Sequence, residues 1–365
     1  MSKHNLDEVR CKINEIDKKM AELFVQRMKA SKEVAEYKIE HSLPIVDRNR
    51  EQTIIHNNAE RIEDDVIREY YINFLKSTMD ISKAYQTRLM ENMVVGYSGV
   101  PGAFGHIAAK QMFPNATFIA YPDFNEAYLD CENGKCDAVV LPIENSYAGD
   151  VGSVMDLTFS GSLYINQIIE LDVVHHLLGT ENATKETIRE VISHPQALAQ
   201  CAEFIQKNNY ITKECVNTAI AGKEVAEQKN PTLAAIASSD TADLYGLKII
   251  ESNINSSRNN TTRFAAFSRC ANHPEPTSKM GEHFILVFTV LNEAGSLAKT
   301  LNIIGAHGFN MRNLKSRPMK TLMWNYYFFI ELDGNIYTED GKEMLKQLST
   351  ICDCLKLVGT YRSHM

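Results

Sequence analysis

Residues 1–90 contain one proline, Pro44, and no glycine, while apolar side chains recur at helical spacing: Ile13, Ile16, Met20, Leu23, Phe24 and Val34. With so few backbone breakers and a 3.6-residue period, helices are what this stretch can form. Pro44 cannot continue a hydrogen-bond ladder, so it ends a first helix running from about Leu6 to Glu40. A second helix is expected over about Asp47–Arg61 and a third over about Asp64–Met90. At ~1.5 Å per residue the first helix is roughly 50 Å long. Ninety residues cannot cover that length, so an intertwined dimer is expected.

After Asn92 the pattern changes to short β-rich runs alternating with helical stretches. Met93-Val94-Val95, Ala138-Val139-Val140-Leu141, Val191-Ile192 and Leu233-Ala234-Ala235-Ile236 are uninterrupted, as in strands covered on both faces. This implies a doubly wound α/β domain whose two halves form lobes around a cleft. Cys270–Lys279, with two prolines and small polar residues, reads as a linker. Beyond it comes a ferredoxin-like β-α-β-β-α-β alternation. The expected division is therefore an all-helical domain at 1–91, a two-lobed α/β domain at 92–270 and an α+β module at 281–365.

A net charge of -8 leaves no clustered cationic excess for nucleic acid. The eight cysteines are scattered without metal-ligand spacing and read as reduced thiols. The first residues lack the apolar core of a signal peptide, and no apolar run approaches the roughly 20 residues of a membrane span. A cytoplasmic enzyme without metal or organic cofactor is expected.

In the helical zone Arg27 and Lys38 lie about three turns apart and share a face. Arg10 lies ~25 Å from Arg27 along the axis, beyond its own subunit's pocket but within reach of a partner's. Asp47, Arg50 and Glu51 fall at i, i+3 and i+4, and Ser82 and Gln86 lie one turn apart. Taken singly, such residues are common on solvated helix faces. As a set, cations with one carboxylate and one amide suit a small dianion carrying an ether oxygen. The set resembles the all-helical chorismate mutase domain over Leu6–Gln86. The resemblance implies that Arg10 is donated across a dimer and that Arg27, Asp47, Arg50 and Ser82 bind substrate. Lys38, Glu51 and Gln86 would act in a pericyclic rearrangement of chorismate that needs no nucleophile, by holding the reactive conformer and stabilising the ether oxygen.

In the α/β zone the loop Gly96–Gly105 joins a strand to a helix. Its glycines suit either an anion cradle or an ordinary tight turn. Ser193, followed by His194 and Pro195, is placed as a helix N-cap, and Asn217-Thr218-Ala219 is placed similarly. Gln196 and Gln200 lie one turn apart and can point together into the cleft. His194 reads as a general base or as a turn histidine satisfied by backbone. Glu144 ends the most apolar strand, where a carboxylate favours a site over packing, and Asn145 and Ser146 add donors.

Together with Asn260-Thr261-Thr262-Arg263-Phe264, the Pro142–Ser146 and Ser193–Gln196 motifs closely resemble prephenate dehydratase over about Val94–Ser268. Ala103 and Gly105 stand where that family often carries hydroxyl residues. The resemblance implies that prephenate loses its ring hydroxyl and ring carboxylate, with Thr262 as donor to the departing hydroxyl. A threonine hydroxyl is too weak an acid to act unaided, so a relay through Glu144 or water is expected. Arg263 and the helix N-terminus at Ser193 would anchor carboxylate, and Phe264 would wall the ring. Asn145, Gln196, Gln200 and Thr218 would complete the substrate site.

Residues 283 to about 360 resemble the ACT domain, which implies phenylalanine binding at a dimer interface. The effector residues implied are Asn292, Gly295, Ser296, Leu297, Ser316 and Arg317, although Lys315 replaces the family's usual glutamate and Ser296 a common alanine. The order of the three resemblances is that of the bifunctional P-protein family. It implies chorismate and prephenate as substrates, phenylalanine as effector, and a homodimer or homotetramer. The rival readings are a dehydratase with a vestigial mutase and a metabolite sensor without turnover.

Overall fold

The computed structural model describes residues 6–41, 48–90, 93–257, 259–274, 282–319 and 325–362. Two compact units result, Met1–Met93 and Val94–Met365. The first consists of α1 (Leu6–Glu40), α2 (Arg48–Ala59) and α3 (Asp65–Met90), close to the expected bounds. The Asp64 carboxylate accepts from the Ile67 amide at 2.9 Å and satisfies a free N–H at the start of α3. The three helices bury little apolar surface: Ala35 and Met79 are enclosed, with Thr78, Ser82 and Gln86 beside them. Ile13, Ile16, Met20, Leu23 and Phe24 of α1 stay exposed, Leu23 by 62 % and Phe24 by 42 %.

The second unit begins with a lobe of β1 (Val94–Ser98), α4 (Phe104–Met112), β2 (Thr117–Tyr121), α5 (Phe124–Glu132), β3 (Ala138–Asn145), β4 (Gly149–Asp150), α6 (Gly152–Ser160) and β5 (Tyr164–Asp172). A second lobe follows with β6 (His176–Gly179), β7 (Glu190–Ser193), α7 (Pro195–Gln200), α8 (Ala202–Lys207), β8 (Ile211–Glu214), α9 (Thr218–Gln228), β9 (Leu233–Ala237), α10 (Ser239–Tyr245) and β10 (Lys248–Glu251). The chain then returns as β11 (Thr261–Ser268), inserted between β3 and β5 of the first lobe and antiparallel to both. Because of that return the first sheet is mixed, although β1, β2 and β3 pair in parallel. The second sheet runs β10-β6-β9-β7-β8. Every residue of its central β9 is buried, as its uninterrupted apolar run requires.

The C-terminal segment has the expected β-α-β-β-α-β order: β12 (Glu282–Thr289), α11 (Ser296–Ala306), β13 (Met311–Pro318), β14 (Tyr326–Asp333), α12 (Glu339–Leu348) and β15 (Cys354–Arg362). Part of the expected linker, residues 275–279, lies outside the described residues. The module's sheet continues that of the first lobe, giving the order β13-β14-β12-β15-β5-β11-β3-β1-β2. The junction is one register pair, Gly359 opposite Ile165. No described helix is long and apolar enough to cross a membrane.

Candidate functional sites

In the helical unit a cavity of about 350 Å³ is walled by Arg27, Lys38, Arg50, Glu51, Ser82 and Gln86, among others. Six of the expected residues therefore meet across three helices. Arg27 donates to the Ser82 hydroxyl and, at 3.2 Å, to the Thr78 carbonyl. Burial lowers the pKa of its guanidinium, which nevertheless stays cationic at neutral pH. Lys38 Nζ donates to Gln86 Oε1 at 3.4 Å, which leaves the Gln86 amide nitrogen as the donor end. Glu51 is bridged by Lys83 at 3.1 Å. Lys83 lines the pocket although no expectation named it; its signal is its place beside Ser82. Arg10 is absent from this wall, lies 66 % exposed and pairs with Asp7 at 3.6 Å. Asp47 lies outside the described residues.

A second cavity, of about 360 Å³, opens between the two lobes of the α/β unit. Ser98, Gly99, Ala103, Phe104 and Gly105 form one side, and His194, Gln196, Gln200, Asn217 and Thr218 form the other. Asn145, Thr262 and Phe264 stand on the floor, brought together because β11 pairs with β3 at Thr262 opposite Asn145. Asn145 Oδ1 accepts from the amides of Tyr147 and Ala148 at 3.0 and 2.8 Å, which fixes the side-chain amide. Its Nδ2 consequently donates to Thr262 Oγ1 at 2.8 Å and to Asn260 Oδ1 at 2.9 Å. Since Thr262 accepts from Asn145, its own hydroxyl proton is turned away from Asn145 and available to a ligand.

Three expected residues are placed elsewhere. Arg263 lies between Thr262 and Phe264 on a strand, and alternation carries it to the opposite face. There it makes paired bonds to Glu331 at 2.9 and 2.8 Å, so it is no cleft anchor. Glu144 is also off the cleft wall, held by Arg263 at 3.3 Å and Lys315 at 2.9 Å, which removes it as the relay to Thr262. Ser193 is fully buried and spends its hydroxyl on the Ile236 carbonyl. The cap of α7 is His194, whose ring accepts from the Gln196 amide at 3.2 Å; this favours the turn role over the general-base one. Thr218 is the first residue of α9, and Asn217 caps it. Ser146 accepts from Thr261 N and donates to the Asn259 carbonyl, closing the β3–β11 loops.

His175 was not foreseen. It lines the cleft with 2 % exposure, faces Phe104 edge-on and bonds Gln200 Oε1 through Nε2 at 3.0 Å. Burial pushes its pKa down to about 4, so it is neutral near pH 7. With Nε2 donating to Gln200, Nδ1 is an acceptor without a partner among the described residues. Nothing in the local sequence beyond an unexplained His175-His176 pair signals it.

In the C-terminal module Gly295 adopts φ 87° ahead of α11, a conformation that favours glycine, and Ser296 opens the helix. Asn292 and Ser316 are exposed, and Leu297 packs on the module's core. Thr289 pairs with Tyr327 and Tyr327 with Arg317, so the Asn292–Ser296 loop and Arg317 share one end of the sheet. Arg317 itself is held by Asp156 of α6 at 3.1 and 3.4 Å.

The profile of the chorismate mutase type II family matches residues 9–87, and that of prephenate dehydratase matches residues 95–272. The bifunctional chorismate mutase/prephenate dehydratase of Buchnera aphidicola subsp. Schizaphis graminum is 30% identical over 378 residues, covering 100% of this chain and 98% of the relative. Among solved structures, GqqA, described as a novel type of quorum quenching acylase, superposes with TM-score 0.69 at 28% identity, over 74% of this chain and 98% of its own. Prephenate dehydratase from Arthrobacter aurescens in complex with L-Phe gives TM-score 0.68 at 26% identity, over 74% and 90%. Two profiles in tandem and a relative matched along nearly its whole length follow the same division as the two cavities: the chain belongs to the bifunctional chorismate mutase/prephenate dehydratase family.

Proposed function

We propose that this protein carries out two consecutive steps of phenylalanine biosynthesis, rearranging chorismate to prephenate and then converting prephenate to phenylpyruvate, CO2 and water. The observation that carries the reading is the Asn145–Thr262 pair, whose polarity leaves a hydroxyl proton free in a cleft of substrate size. In the helical pocket Arg27, Lys38 and Arg50 hold a dianion, while Lys38 and the Gln86 amide face the ether oxygen as negative charge develops there. The exposed apolar stripe on α1 supports an intertwined dimer. Burying a side chain such as Leu23 or Phe24 is worth about 1.5–3 kcal/mol, and the partner's Arg10 would complete each pocket.

In the dehydratase cleft Thr262 donates to the leaving hydroxyl while Phe264 and Phe104 wall the ring. With Glu144 held on the other face, a water is the remaining relay for the proton. Gln196, Gln200 and Thr218, at the start of α9, would hold carboxylate. Acyl transfer, by contrast, needs an activated nucleophile. The described side-chain partner of the Thr262 hydroxyl is an amide donor and not a base.

The boundaries of the three working parts are taken as 1–91, 92–270 and 281–365, the last being an ACT module that senses phenylalanine at an interface between copies, in a cytoplasmic dimer or tetramer. Formation of phenylpyruvate from chorismate, followed spectrophotometrically, tests the whole reading. Arg27→Ala should abolish turnover of chorismate alone and Thr262→Ala that of prephenate alone. A protein that binds either compound without turnover would refute it.

A further inference from the structure

Both partners of the Asn145–Thr262 pair have a neighbour tied to the C-terminal module. Arg263, next to Thr262, meets Glu331 of β14 through two hydrogen bonds and Tyr361 of β15 at 3.2 Å. Glu144, next to Asn145, meets Lys315 of β13 at 2.9 Å and faces Arg263 across the β3–β11 register. Glu331 is 1 % exposed and Tyr361 4 %. Burial alone would push the Glu331 carboxyl up, yet Arg263 together with Tyr361 and Arg312 holds it below its usual range, so the pair is charged on both sides. A buried carboxylate with these partners and no exposure to the cleft has no direct part in the chemistry.

We infer that Glu331 and Tyr361, acting through Arg263, are positioning residues for the dehydratase reaction: they set the height of β11 and so the place of the Thr262 hydroxyl. The inference rests on the dehydratase reading above. Arg263 lies one residue from the reacting hydroxyl and pulls from the opposite face, where the bulge between Arg263 and Phe264 makes the strand locally irregular. Small displacements of a positioned group cost rate far more than affinity, because the ground state tolerates what the transition state does not.

The test compares Glu331→Gln, Tyr361→Phe, Arg263→Gln and the Glu331→Gln/Arg263→Gln double variant in the full chain, each assayed with prephenate and, as an internal control, with chorismate. Glu331→Gln should lower dehydratase kcat by roughly tenfold to a hundredfold while KM moves less than about twofold and the mutase rate stays unchanged. Tyr361→Phe, which keeps the shape, should fall between it and the wild type and secures the test if the buried glutamine prevents folding. The double variant should be no slower than the slower single one, because both changes cut one link. Losses that multiply, or losses borne by KM, would mean that Arg263 acts on substrate independently of Glu331, and would overturn the inference. Glu331→Gln with wild-type kcat would also sink it while leaving the dehydratase reading intact. An inactive wild type would sink both.

Discussion

Thr262→Val separates a structural threonine from a catalytic one because the two roles predict different energies. The substitution keeps the shape of a side chain that is 8 % exposed and removes only its hydroxyl. Asn145 Nδ2 would lose an acceptor at 2.8 Å but keep Asn260 Oδ1 at 2.9 Å and the Thr261 carbonyl at 3.3 Å. No buried donor is stranded, so the stability cost should be that of one net hydrogen bond, about 1 kcal/mol. A proton donor in the transition state is worth about 10²–10⁴ in rate, which is roughly 3–5 kcal/mol of barrier. Steady-state formation of phenylpyruvate from prephenate, together with a thermal melt, measures both numbers. Thr262→Ser should restore much of the rate. Asn145→Asp offers an independent check: it presents a carboxylate oxygen where the amide donor stood, so the Thr262 hydroxyl turns back to bond it and the rate falls with the threonine intact. A valine variant with less than about a tenfold loss in kcat would refute the donor role, since even the weak end of general acid catalysis exceeds that.

Arg27→Ala should cost mutase kcat/KM at least roughly a hundredfold by removing a charge that the transition state needs, and should leave prephenate turnover unchanged when assayed separately. His175 is held neutral, with a folded pKa of about 4 against about 6.5 unfolded. The unfolded chain therefore takes up the proton first, and stability should be full above pH ~6.5 and decline by up to about 3 kcal/mol as pH falls toward 4. His175→Leu should remove that component from the pH dependence of the dehydratase melting transition, and an unchanged profile would count against the burial. At Gly105 a Cβ would sit 2.7 Å from the Ser98 carbonyl oxygen. Gly105→Ser, although closer to the family pattern, should therefore shift α4 and destabilise by about 1–3 kcal/mol. A wild-type melting temperature would show that the contact yields freely.

The helical zone and the C-terminal alternation were readable because their apolar periods are long and their breakers few. The strands β2, β5, β6, β8 and β10 were harder, being short or only partly apolar. The edge strand β8, Ile-Thr-Lys-Glu, is exposed along its whole length and leaves no apolar signature. Of the dehydratase motifs, the composition was legible and the facing was not. Strand alternation alone puts Thr262 and Phe264 on one face and Arg263 on the other, yet a motif read as a unit hides that parity. Ser193 was misread because the Ile236 carbonyl that takes its hydroxyl is 43 residues away. His175 owes its role to burial against Phe104 and Gln200, which no local pattern encodes. Arg10 was separable from its neighbours only through the rise of the helix.

The meeting of β15 and β5 at a single residue pair has a mechanical consequence. Only Gly359 and Ile165 are paired along this seam, so the module is held to the first lobe chiefly by side chains: Ile285, Val287, Tyr327 and Phe329 share one apolar core with Val139, Leu141 and Phe267. A side chain at 359 would run into the Ile165 backbone, so only glycine lets the two edges close this tightly. A shift of the module would therefore reach β11, the strand that carries the hydroxyl the reaction needs, through that core and the Arg263–Glu331 pair.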